Sequence, residues 1–162
     1  MPKSNAQGFD CRKYGNDLQM PIAKWDVSEV TDMTDLFAES KSFDTDDISK
    51  WDVSSVTSMQ SMFYDAQSFK ADISKWDVPS VTSMQSMFFD AKSFNTDISK
   101  WAVSSVTSMD YMFNGANAFS RTLCGAWIDS GATTTDMFKG SLAGFCFGQL
   151  FETLTLIILI YS

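Results

Sequence analysis

Lysine and aspartate recur in register along this chain: Lys24, Lys50, Lys75 and Lys100 form one series, Asp26, Asp52 and Asp77 a second, which Ala102 breaks. The double row reads as a ligand-facing ridge or as a solvated, charge-balanced face. Like charges in each column repel, and diagonal Lys–Asp pairs partly offset this. Asp44, Asp46 and Asp47 suggest calcium, yet the D-x-[DN]-x-[DN]-G pattern and a closing Glu are missing. Met33, Met59, Met62, Met84, Met87, Met109 and Met112 could suggest a soft-metal site, but their spacing beside phenylalanines points to core filling. The tryptophans would be a sugar-stacking platform if they faced outward; alternation with Asp puts them inside.

Histidine is absent, which removes His-based triads and His-ligated metals. No G-x-S-x-G, P-loop or glycine-rich fingerprint occurs. No catalytic, cofactor-binding or metal residue is therefore assigned, no cofactor is expected, and the chain is read as a non-enzyme. The net charge of -8 argues against nucleic acid as a partner. Of three cysteines, Cys11 stands apart, while Cys124 and Cys146 lie in the irregular C-terminal region. There they form either one closing disulfide or, with Cys11, three buried or free thiols.

These residues are positioned by repetition. Lys50–Ser74, KWDVSSVTSMQSMFYDAQSFKADIS, returns almost letter for letter as Lys75–Ser99, with looser copies from Lys24 and Lys100 and a decayed fifth from Ala126. Trp25, Trp51, Trp76, Trp101 and Trp127 are spaced by 26, 25, 25 and 26 residues. Such a period marks stacked units that cannot stand alone.

Two periodicities alternate within a copy. Met59, Met62, Phe63 and Ala66 fall at i, i+3, i+4 and i+7, which predicts a short helix from Thr57 to Ala66, capped by Thr57 with Gln60. Lys75-Trp76-Asp77-Val78 alternates with period two and predicts a short strand. The expected fold class is α/β: a leucine-rich-repeat-like solenoid of 25–26-residue strand–helix units with a parallel sheet along one face. Residues 1–23 read as an N-terminal cap segment, with Phe9 a mimic of a repeat phenylalanine. Residues 24–125 read as four full repeats, 126–145 as a degenerate repeat and 146–162 as an apolar tail or cap.

The run from Leu154 to Tyr161 is too short to span a bilayer. It is read first as a capping strand, with a membrane tail anchor or the cut-off start of a transmembrane helix, or a gene-prediction artefact, as alternatives. Membrane contact is expected only through residues 145–162. The N-terminus, MPKSNAQGFDC, has no apolar core segment, so no secretory signal is expected. On that reading the protein is intracellular or its true start is missing.

The phrase W-D-V-S-x-V-T-x-M-x-x-M-F-x-x-A-x-x-F-x-x-D-I-S resembles the repeat of BspA-like leucine-rich-repeat surface proteins, a mycoplasma-type repeat of unknown function. It covers about Ile22 to Met137, and LCGAWIDSGATTTDMFKGS resembles a C-terminal unit of that group. The resemblance implies display at a cell surface or outside the cell, and adhesion or binding to a protein or surface glycan. No catalytic residues come with it. The leading expectation is a non-enzymatic interaction module; a calcium- or carbohydrate-dependent surface binder is the alternative, and a hydrolase with a carboxylate pair the third reading.

Overall fold

A computed structural model describes residues 21–146. Phe9, Cys11 and the run Leu154–Tyr161 lie outside the described residues. The strand–helix solenoid expected above is not what forms. Regular structure among the described residues is confined to β1 (Thr122–Leu123), α1 (Ala126–Asp129), β2 (Gly144–Phe145) and short 3-10 turns at Ile22–Lys24 and Asp46–Lys50. The two strands pair in parallel. Among the described residues no sheet runs along one face; single-residue parallel bridges link Asp32, Ser58, Ser83, Ser108 and Thr133 instead.

Each copy is a closed sequence of tight turns. In the copy beginning at Ile73, backbone bonds close Ile73–Trp76, Val78–Val81, Met84–Met87, Phe88–Ala91 and Ala91–Phe94, at 3.1–3.2 Å. Each of these five turns starts and ends on a buried apolar residue, while a sixth, Ser86–Phe89, joins two half-buried ones. The i, i+3 spacing that predicts a helix is therefore produced by three-residue turns. Two columns of left-handed residues rule the helix out: Asp35, Ser61, Ser86, Tyr111 and Asp136, then Glu39, Asp65, Asp90, Gly115 and Gly140. A positive φ at the third residue defines these as type II-like turns. Ser, Asp and Asn are weak helix formers that bond to the backbone in turns, so local preference does not oppose this.

The N–H groups freed from a helix find carbonyls on the next copy. Met59, Ser61, Phe63 and Asp65 donate to Ser83, Gln85, Met87 and Phe89, at 2.7–3.0 Å. Met109, Tyr111, Phe113 and Gly115 donate likewise to Thr133, Thr135, Met137 and Lys139. A threonine column runs the other way: Thr57, Thr82 and Thr107 each use backbone N–H and Oγ1 to reach the carbonyl of Thr31, Thr57 and Thr82. Thr57 thus bridges copies and caps no helix.

Between these ladders the side chains stack in files. Phe37, Phe63, Phe88 and Phe113 lie nearly parallel, with centroids 5.6 Å apart, and Phe138 follows at 5.9 Å. Phe69, Phe94 and Phe119 form a second file against the first. All seven methionines named above are fully buried, so they fill the core. The tryptophans point inward, and Trp51, Trp76 and Trp101 donate from Nε1 to the carbonyls of Ile22, Ile48 and Ile73. Trp127 belongs instead to α1, and its buried Nε1 has no acceptor.

Gly115 occupies the left-handed column with φ +73°, and a Cβ there would run into the Asp90 carboxylate. Gly115→Ala is expected to lower stability by about 2 kcal/mol, from backbone strain plus that collision. Urea unfolding should show a shifted midpoint with an unchanged slope.

Candidate functional site

The KWDV segments that carry the double row are not strands. They are the corners between the Ile–Trp and Val–Val turns, with Val buried, Trp buried except for the half-buried Trp25, and Lys and Asp exposed. Stacking of Trp25 on Trp51 at 6.2 Å sets the first corner over the second, and stacking of Trp76 on Trp101 at 6.3 Å sets the third over the fourth. Lys24, Lys50, Lys75 and Lys100 are all exposed, and none forms an ion pair among the described residues.

The aspartates have a local task that composition does not reveal. Asp26 accepts from the Ser28 hydroxyl at 2.7 Å and its N–H at 3.1 Å; Asp52 does the same with Ser54, at 2.6 and 3.1 Å. These are Asx turns. The serine hydroxyl first, then its N–H, holds both carboxyls below the usual aspartate value. Asp77 makes no such turn, because Pro79 supplies neither N–H nor hydroxyl at that place. Asp72 with Ser74 and Asp97 with Ser99 repeat the device at the D-I-S corner. The spacing D-x-S was the signal available in the sequence.

The acidic loop is also engaged. Asp44 accepts from the Lys70 N–H at 3.1 Å and pairs with its ammonium at 3.2 Å, and Asp46 accepts from the Asp72 N–H at 3.2 Å. Their acceptor capacity thus staples one copy to the next. Among the described residues no three Cys, Asp or Glu side chains converge as a metal site would require. No helix among the described residues is long and apolar enough to cross a membrane. Cys124 and Cys146 are joined by a disulfide, with their Cα atoms 5.1 Å apart.

Among the described residues Asp110 is the most connected carboxylate. It accepts from Thr133 Oγ1 at 2.7 Å and from the Thr135 N–H, at 2.6 Å, on the following copy. The Thr133 hydroxyl, then the Thr135 N–H, lowers its pKa below 3.8. A carboxyl whose folded pKa is depressed stabilises the fold above its unfolded pKa, and the contribution fades as pH falls through the folded value. Asp110→Asn should therefore cost about 1–2 kcal/mol at pH 7. The gap to the parent should narrow below pH 3.8, read as urea midpoint against pH.

Two outward aromatics were not singled out by spacing. Tyr64 and Phe89, each following a buried Phe, stack on one another at 4.9 Å and are half exposed. Asn114 and Lys139 take the same place in later copies, so the column is aromatic only in its middle.

Comparison with known proteins adds one finding. The family model described as "Mycoplasma protein of unknown function, DUF285" matches residues 7–142. No curated protein and no solved structure matches the chain.

Proposed function

We propose that this chain, which belongs to the DUF285 family of Mycoplasma proteins of unknown function, is a non-enzymatic module that docks a protein or surface glycan on one exposed face of its stacked copies. The observation that carries this reading is the lysine column. Lys24, Lys50, Lys75 and Lys100 are exposed and outside any ion pair among the described residues, while the neighbouring Trp51, Trp76 and Trp101 are held in the core and Trp25 packs half-buried against it. A rigid row of like charges repels itself and is relieved by an acidic partner of matching spacing. Asp26 and Asp52 serve the corners as turn caps, so the lysines form the contact and the aspartates shape it. Display at a cell surface belongs to the same reading.

The test uses lysine variants, since replacing the aspartates would remove turns. Lys24→Glu, Lys50→Glu, Lys75→Glu and Lys100→Glu together should leave the melting curve near that of the parent. Binding to partners captured by the parent from protein and glycan arrays should be lost. Undiminished binding by the folded variant would refute the lysine face. A carbohydrate-binding alternative rests on the half-exposed Tyr64–Phe89 stack, which offers a flat apolar surface of the kind a sugar ring covers. Tyr64→Ala with Phe89→Ala would then abolish glycan binding where the lysine variant does not. No observation favours a calcium-dependent form of either reading.

A further inference from the structure

The lysine and aspartate columns follow one corner of the stack, and that corner runs straight. Trp51, Trp76 and Trp101 each donate from Nε1 to the copy before, which ties every corner to its neighbour. The rings of Phe63, Phe88, Phe113 and Phe138 turn by only 5°, 5° and 2° from one copy to the next. Parallel bridges join the copies in register, so successive charges rise by about 4.8 Å. Neither column is neutralised within the chain. All four lysines and all three aspartates are exposed, and none enters an ion pair among the described residues. Asp26 and Asp52 use only Oδ1 in their turns, and Asp77 makes no turn. An ionised carboxylate has about four acceptor sites, so each aspartate keeps a free side for a partner.

We propose that the lysine column binds the aspartate column of a second molecule of this chain, the two stacks lying side by side with parallel axes. This rests on the reading that the lysines form the contact, and it names their partner. Symmetry selects the arrangement. A half-turn about an axis along the stack brings the second molecule's aspartates to the lysines and its lysines to the aspartates, level for level. Lys24 then meets Asp26, Lys50 meets Asp52 and Lys75 meets Asp77, and each pair occurs twice, as in any isologous contact. A half-turn about an axis across the stack would set lysine on lysine. Spacing selects the occupant. Same-face side chains lie about 6.7 Å apart on an extended peptide and about 5–6 Å apart on a helix. Both drift out of step with a rise of about 4.8 Å, whereas a second stack keeps step at every level. A polyanion would meet the repelling aspartate column as well. Lys100 alone faces no carboxylate, because Ala102 holds the fourth place in the aspartate column. One exposed pair contributes little, but a rigid row of them acts as a network.

Sedimentation velocity of the full chain over a concentration series tests this. The parent should show a reversible monomer–dimer equilibrium. Lys75→Glu and Asp77→Lys should each weaken it about tenfold, since every dimer carries the substitution twice. Asp77 caps no turn, so its replacement leaves the corner as it is. Mixed in equal amounts, the two variants should form a heterodimer as tight as the parent dimer, because each new charge meets its opposite. That result also shows both variants to be folded. Ala102→Asp should tighten the parent dimer several-fold by giving Lys100 a partner. A parent that stays monomeric throughout would overturn the proposal, as would a mixture that associates no more tightly than its components. So would an Asp77→Lys chain that associates more strongly than the parent, the result expected if only its smaller net negative charge mattered. A monomeric parent whose array binding still requires the lysines would overturn the self-pairing alone and leave the lysine face standing.

Discussion

Phe88→Ala is expected to remove about 3–5 kcal/mol of stability, the largest effect of any single substitution considered for this chain. Its ring lies between Phe63 and Phe113, each 5.6 Å away, and against Phe94 at 3.9 Å. Nothing can slide in to fill the gap, because the coil-to-coil backbone bonds on either side hold the spacing. Phe138→Ala removes the same ring from the last position of the file among the described residues, where it is half buried and stacks on Phe113 with Phe145 edge-on against it. Its cost should be roughly half as large, since less surface is returned to water. Chemical denaturation of the two variants decides the matter. Equal losses would mean that the file does not act as a stack with nearest-neighbour contacts.

Reduction of the Cys124–Cys146 disulfide is expected to rank second. It closes a 22-residue separation, and a loop of that length constrains the unfolded chain by about 3 kcal/mol. The loop holds α1, Trp127 and the terminal turns, the portion in which the repeat has decayed. Cys124→Ser with Cys146→Ser should therefore lower the melting temperature and release the last copy first. Amide protection should fall at Thr133 and Met137 before it falls at Phe63 or Phe88. A melting temperature unaffected by dithiothreitol would show that the final copy is held by packing alone.

The failure of the helix expectation follows from a degeneracy in the pattern. Met59, Met62, Phe63 and Ala66 can line one helix face, but consecutive three-residue turns bring the same four inward. Apolar spacing alone does not separate the two. Ser61 and Asp65, which take positive φ, carried the distinguishing information, since short polar residues tolerate that region better than most. Tyr111 in the same column carries no such hint. The strand expectation failed for a similar reason: Trp76 and Val78 alternate with Lys75 and Asp77 because two turns meet there, so period two spans one corner and no ladder.

The candidate surface was half legible. That Lys24, Lys50, Lys75 and Lys100 would be exposed follows from their place beside inward tryptophans. That Asp26 and Asp52 cap turns while Asp77 does not depends on the residue two places on, serine or proline. Read in that light, Ala102 marks a corner without its cap.

By itself the amino-acid order determined the period, the inward residues and the charge columns, because a 25-residue repeat places identical side chains in identical surroundings whatever the local path. Only the tertiary structure decided that the path is a chain of turns. A helix satisfies its N–H groups within one segment, whereas these turns need carbonyls one copy away, and those carbonyls exist only once the copies are stacked.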